Sequence, residues 1–201
     1  INGRGAAAAA GTQNASFFAG GTTPGTYAVP TEDYNGVSFS NIANSNLNTG
    51  RQKIGGAGSQ NAGLVFGGTP SAPKQQTEEW NGTTWTAGGN LITGREMATG
   101  VGLQNAALNI GGGTPTLVTC TEHYDGSSWS VGGALLIARG YHMGGAGTES
   151  DALVFGGYPA GATYLTYAYN GTAWSNTGAN LPNATTGTAG TGTATNALRM
   201  G

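Results

Sequence analysis

Apolar residues in this chain fall in short runs set apart by polar, turn-forming stretches. SFFAGG, GLVFGG, ALNIGG, ALVFGG and a final ALRMG each follow a polar turn: GTQNAS, GSQNAG, GLQNAA or GTESDA, in the first four cases. Such runs, bounded by Gly and Asn, predict buried β-strands. Residues 77–85, TEEWNGTTW, return as TEDYNGVSF from Thr31, TEHYDGSSW from Thr121 and TYAYNGTAW from Thr166. Thr, Tyr and Trp around Asn-Gly or Asp-Gly predict a β-hairpin with a two-residue type I′ turn. In that register Trp80 faces Thr83 and Glu78 faces Trp85, with both Trp rings and the Glu on one side of the ribbon. A lone two-stranded ribbon is marginal in water, so four hairpins imply four packed units.

The Gly that closes the apolar run stands at Gly20, Gly67, Gly111, Gly156 and Gly201, and the turn residue of the hairpin at Asn35, Asn81, Asp125 and Asn170, a period of 44 to 47 residues. That length suits four short strands with their turns, the size of one propeller blade. A small, Gly/Ala-rich first strand fits the crowded axis of such a ring, at residues 5–10, 55–58, 98–102 and 144–147. The apolar run is the second strand. A Pro-containing loop of irregular sequence follows, and the hairpin supplies strands three and four. A linker with recurring Leu and Arg (Leu47/Arg51, Leu91/Arg95, Leu135/Arg139) opens the next unit, and residues 1–4 resemble the tail of one more. The repeats run over about 4–50, 51–94, 95–138 and 139–184, with a partial unit at 185–201. The expected fold is all-β, four four-stranded blades plus a half-blade, and the whole of 1–201 reads as a segment of a larger propeller. The partners of the half-blade are expected outside this sequence.

Composition narrows the function classes. Of the 201 residues only 8% are charged, the net charge is −2, and five Arg and two Lys are spread along the chain. No basic surface for nucleic acid or anionic membrane is indicated. Gly and Pro together approach the level at which disorder is suspected, but the regular aromatic spacing argues for order. Cys120 is the single cysteine, which excludes an internal disulfide and reads as a small buried hydrophobe. No apolar run approaches the ~18 residues of a spanning helix, so membrane insertion is not expected.

A Gly-Gly ending the second strand, an aromatic before the third turn, a Trp about 17 residues after Gly-Gly and an Arg opening the next unit resemble kelch repeats, which fold as β-propeller blades. The resemblance spans nearly the whole chain. It departs from the family in the Glu two residues before the aromatic and in the Thr, Asn, Gly and Gln that replace much of the usual charge. The T-E-x-aromatic-Asn/Asp-Gly-x-x-Trp flavour is similar to kelch-like repeats of virion and tail-fibre proteins of marine bacteriophages.

The candidate chemistry is sparse. Glu78/Glu79 and Glu32/Asp33 are adjacent on strands and point to opposite faces, so neither pair can share a substrate atom. His123 and His142 lie in different repeats without a ligand triad, and Glu149 and Asp151 lack the alternating oxygens of a calcium loop. GGAGSQN and GVGLQN complete no phosphate-binding motif, and there is no nucleophile elbow. YDGSSW lacks the residue that a sialidase Asp-box places between Asp and Gly. Cys120 and Tyr124 invite comparison with the copper enzyme galactose oxidase, also a kelch propeller, but no converging pair of His accompanies them. The N-x-Ser/Thr matches at Asn14, Asn81, Asn170 and Asn183 arise readily in a composition this rich in Asn and Thr.

The expectation is therefore a non-enzymatic structural or adhesive domain with no catalytic residue, metal or cofactor, belonging to a virion fibre or similar extracellular appendage. The alternatives are a carbohydrate-active or copper enzyme on the same scaffold, and an intracellular kelch adaptor. Expected partners are other virion or surface proteins and a host-surface glycan or protein. Variable loops at residues 22–28, 69–74, 114–117 and 158–163 share one face, opposite the QNA and Asn-Gly turns. Recognition can be written there, at Pro24, Tyr27, Pro70, Lys74, Pro115, Leu117, Tyr158 and the neighbouring Tyr164. Three structural pairs are also expected, each Glu accepting from the Arg that opens the following blade: Glu32/Arg51, Glu78/Arg95 and Glu122/Arg139. Tyr167 and Thr185 mark the boundary where both partners are missing.

Overall fold

The computed structural model describes residues 3–43, 45–159, 164–183 and 187–200, and of residue 142 the backbone only. The first unit holds β1 (Ala8–Thr12), β2 (Ala15–Ala19), the small hairpin β3 (Thr22–Thr23) and β4 (Thr26–Tyr27), then β5 (Thr31–Tyr34) and β6 (Phe39–Asn41). The second holds β7 (Gly55–Ser59), β8 (Ala62–Phe66), β9 (Thr77–Trp80) and β10 (Trp85–Ala87). The third holds β11 (Thr99–Leu103), β12 (Ala106–Ile110), β13 (Thr121–Tyr124) and β14 (Trp129–Val131). The fourth holds β15 (Gly140–Gly147), β16 (Ala152–Tyr158), β17 (Thr166–Tyr169) and β18 (Trp174–Asn176), and β19 (Ala189–Gly192) and β20 (Ala197–Met200) follow. Among the described residues there is no helix.

Four antiparallel four-stranded sheets result, ordered β1-β2-β5-β6, β7 to β10, β11 to β14 and β15 to β18, with β19-β20 as a two-stranded half-blade. Their first strands stand side by side in the sequence β1, β7, β11, β15, β19. This is a ring of blades, a β-propeller arrangement. The flank of β15 away from β11 is taken by β19 of the half-blade rather than by β1. Small residues permit the close approach. A Cβ on Gly100 would lie 2.3 Å from the carbonyl oxygen of Gly56, and one on Gly190 would lie 2.6 Å from that of Gly145. Ala8, Gly56, Gly100, Gly145 and Gly190, one from each unit, line an axial cavity of about 270 Å³.

The core lies between blades rather than within them. Three apolar clusters each straddle one boundary, and each contains a linker leucine, Leu47, Leu91 or Leu135. Burying such a side chain contributes roughly 2 kcal/mol, so a linker is held by its leucine as well as its backbone. Second-strand aromatics reach into the next blade: Phe17 meets Trp85 edge-on at 5.7 Å and Phe66 meets Trp129 at 5.0 Å. At the same boundaries an indole N–H donates backwards to the threonine that starts the previous hairpin. Trp85 donates to Thr31 (2.7 Å), Trp129 to Thr77 (2.9 Å) and Trp174 to Thr121 (3.0 Å).

The hairpin turns differ from the two-residue type I′ expectation. Trp80 pairs with Trp85 and Glu78 with Ala87, which leaves a four-residue loop. Gly82 has φ +92°, while Asn81 is not in the left-handed region. The carboxamide of Asn81 instead accepts from the N–H groups of Thr83 (3.0 Å) and Thr84 (2.9 Å). Asn35, Asp125 and Asn170 do the same in their own turns. The asparagine acts as an acceptor that closes an Asx turn, not as a residue tolerant of positive φ. Because the slip is two residues, the faces are unchanged, and the rings of Trp80 and Trp85 sit 5.2 Å apart on the Glu78 side.

Candidate functional site

The buried charges form one repeated construction. Arg51 donates to Glu78 at 2.6 Å, Arg95 lies 3.0 Å from Glu122, and Arg4 lies 3.4 Å from Glu32. The pairs are therefore Arg4/Glu32, Arg51/Glu78 and Arg95/Glu122, each within one blade, and the expected Glu32/Arg51, Glu78/Arg95 and Glu122/Arg139 are corrected by one repeat. The physical reason is the linker, which crosses the leading face of the blade it opens and so meets that blade's own hairpin. Glu78 also accepts from the backbone N–H and carboxamide of Asn48, at 2.7 and 2.9 Å, and Glu122 from the N–H of Ile92 at 2.8 Å. Each carboxylate thus fixes both the linker and its terminal arginine.

Arg139 shows the same site without a carboxylate. Its guanidinium lies 4.4 Å from the ring centre of Tyr167, which occupies the Glu position, and its Nη1 donates to the carbonyls of Gly156 and Leu165. Burial pulls Arg51, Arg95 and Arg139 below the ordinary guanidinium range. Glu78 opposes that shift at Arg51, Glu122 and Cys120 oppose it at Arg95, and Tyr167 opposes it at Arg139. Cys120 is only partly buried beside Arg95, not the enclosed hydrophobe expected. Thr185, where a fifth arginine would stand, lies outside the described residues.

On the outer side of the same hairpins, polar contacts cross from blade to blade. Gln104 donates to the carbonyls of Gly63 (2.9 Å) and Trp80 (2.8 Å), and Gln60 to that of Tyr34 (3.1 Å). Tyr124 donates to Glu79, and burial together with that bond pushes its phenol well above the ordinary range. His123 stands between Glu149, on its Nδ1, and the hydroxyl of Tyr169, 2.7 Å from its Nε2. Tyr169 is fully buried, and this trio joins the third blade to the fourth. Among the described residues no three His, Cys, Asp or Glu side chains come together as a metal site.

The variable loops and the linkers do share one face. Linker N–H groups of Leu47, Leu91, Leu135 and Leu181 donate to the carbonyls of Val29, Gln75, Thr119 and Tyr164, at the ends of the loops. Asn-Gly and QNA turns meet on the opposite face, where Gly36, Gly82 and Gly126 face Asn14, Asn61 and Asn105. Pro24 is exposed at the tip of the β3-β4 hairpin, and Pro115 is exposed too. Pro70 and Lys74 are half-buried. Leu117 is drawn in against Gly140 of the next blade. Tyr27, Tyr158 and Tyr164 are exposed, and residues 160–163 lie outside the described residues. Tyr27 turns to the flank of the first blade, where with Arg4 and Glu32 it lines a cleft of about 470 Å³. Pro24 and Tyr27, Pro70 and Lys74, and Pro115 thus stand on three separate loops, and of the five only Tyr27 lines that cleft.

Two features of this face escaped the sequence reading. Ala6, Lys53, Met97 and Tyr141, each two residues after an arginine, share positive φ values of 55°, 56°, 58° and 55°. Successive members are bonded, Lys53 N–H to the Ala6 carbonyl at 2.8 Å and Met97 N–H to that of Lys53 at 2.9 Å. Such a conformation in a residue other than Gly costs of order 1–3 kcal/mol. Tyr141 also forms an edge-on pair with Tyr158 at 5.9 Å, and Lys53 pairs with Glu96 at 3.2 Å beside the axial cavity. The recurring distance of two from each arginine was the available signal. No protein-family model and no curated protein matches the chain.

Proposed function

We propose that this chain is a structural and adhesive kelch-type propeller of a virion fibre or similar extracellular appendage, and that it meets its partner through the loop-and-linker face. One observation carries the reading: Tyr27, Ile92, Leu136, Ile137, Tyr141, Tyr158 and Tyr164 all expose apolar surface on the loops, linkers and adjoining strand ends of that face. Aromatic side chains with a polar tip are favoured where binding surface must also stay soluble. The opposite face is built mainly of repeated Asn, Gly, Gln and Ser turns that serve the hairpins and the blade contacts, with Val37 and Leu103 as exposed apolar side chains among them. The half-buried His123 and the buried Tyr124, Tyr169 and Arg groups have structural neighbours, which favours a binding role over an enzymatic one.

Labelled protein applied to immobilised glycans and to bacterial surfaces tests this reading. Replacing Tyr141 and Tyr158 with Ser should reduce retention at least tenfold, whereas Val37→Ser on the other face should leave it unchanged. Retention that survives Ser substitution and Gly/Ser replacement of residues 22–28 and 114–117 would remove the proposal.

A further inference from the structure

We propose that Cys120 is a modification site, a thiol that a hydroperoxide oxidises to the sulfenic acid, with Arg95 and Asn109 holding the oxygen it gains. Cys120 stands immediately before Thr121 at the start of β13, where the other blades carry Pro30, Gln76 and Leu165. It is partly exposed and lies against the Arg95 guanidinium. Two residues on, Glu122 points to the same side of the strand, and its partner across the ladder is Asn109. Cys120, Glu122, Asn109 and Arg95 therefore share one face of the third blade.

Arg95 and Asn109 are both fully buried, and both hold polar atoms without a hydrogen-bond partner: Nε and Nη1 of the arginine, Nδ2 and Oδ1 of the asparagine. Nε is unpartnered in Arg51 and Arg139 too, so Nη1 and the carboxamide set this unit apart. Nη1 of Arg51 donates to the carbonyls of Gly67 and Gln76, and that of Arg139 to those of Gly156 and Leu165. The place of Asn109 is held by Phe18, Val65 and Val154 in the other blades. Glu122 does not meet the need, since its oxygens accept from Arg95 Nη2 and from the N–H groups of Ile92 and Thr93. A buried carboxamide and guanidinium with free valences are costly, and in this blade alone they stand beside a thiol. A hydroperoxide and a sulfenic acid each carry an oxygen that accepts one hydrogen bond and donates another, which suits a free Nη1–H and a free carboxamide oxygen. The sulfur attacks one peroxide oxygen, the S–O bond forms as the O–O bond breaks, and the thiol proton leaves with the departing hydroxide as water. Sulfur loses two electrons and the peroxide gains them.

The test treats the full chain with hydrogen peroxide in the presence of dimedone and follows the sulfenic acid adduct by intact mass. Folded protein should form it about tenfold faster than the same chain in urea, where the thiol is fully accessible but Arg95 and Asn109 are not in place. Asn109→Val installs the residue that the second and fourth blades already carry, so the fold should hold, and it should slow oxidation about tenfold. The same variant should leave alkylation by iodoacetamide unchanged, because that reaction transfers no oxygen to sulfur and reports access alone. Oxidation no faster in the folded chain than in urea, equal rates with and without Asn109, or alkylation that falls in step with oxidation would overturn the proposal.

Discussion

Arg51 and Arg139 occupy the same place in the second and fourth units and differ in what would be left behind if they were removed. Arg51→Met strands Glu78, buried and still bonded to Asn48, and should cost about 3–5 kcal/mol. Arg139→Met strands only carbonyls and the face of Tyr167, so about 1–2 kcal/mol is expected. Urea unfolding of both variants measures the difference, and equal losses would show that the carboxylate is not what matters. Tyr124 gives a pH signature. Its folded-state pKa is raised, so the neutral phenol contributes stability that is complete below pH about 10 and is lost as pH climbs beyond it. Ultraviolet titration should find Tyr124 ionising above the ordinary tyrosine range, and Glu79→Gln should bring it down. The identities of the paired residues were legible in the sequence because Glu and Arg recur with the period. The partner choice was not, since spacing along the chain does not say whether a linker folds back on the hairpin it leaves or forward on the one it enters.

At the level of strands and turns, the Trp-to-Thr bonds and the Gly-Gly ends carry the fixed geometry. Trp129→Phe and Thr77→Val should each be destabilising, with a coupling of about 1 kcal/mol in the double-mutant cycle. The first blade already carries Phe39 at the tryptophan position. Gly111→Ala places a Cβ 2.3 Å from the Arg139 carbonyl at φ +62° and should cost roughly 1–3 kcal/mol by thermal unfolding. Strand existence and order were readable from the apolar runs and from TEEWNGTTW. The turn was misread because Asn-Gly marks both a type I′ turn and an Asx-closed loop, and only the side-chain acceptor, invisible in sequence, separates them. The β3-β4 hairpin inside the first variable loop was likewise hidden, its TTPGTY reading as irregular chain.

For the molecule as a whole, the period of 44 to 47 residues was enough to read four blades and a half-blade, because a blade cannot bury its faces alone and must stack. Hydrogen exchange should grade the structure accordingly. Amides of β10 and β14, the outer strands of their blades, should exchange well before those of β8 and β12, which are enclosed on both sides, and uniform protection would contradict that ordering. The loop-and-linker face was legible as a side of the ring, but not its composition at atomic scale, since the exposed Tyr141 depends on a backbone conformation that no propensity announces. The three Trp-to-Thr bonds, finally, all point the same way, from the second, third and fourth blades back to their predecessors, so that the second and third blades both give and receive. A blade therefore carries one plug and one socket of fixed polarity. A tandem duplication of a repeat such as residues 51–94 would insert a unit whose two ends already match its neighbours, so at these joints the array can lengthen or shorten by whole repeats without any new contact having to evolve.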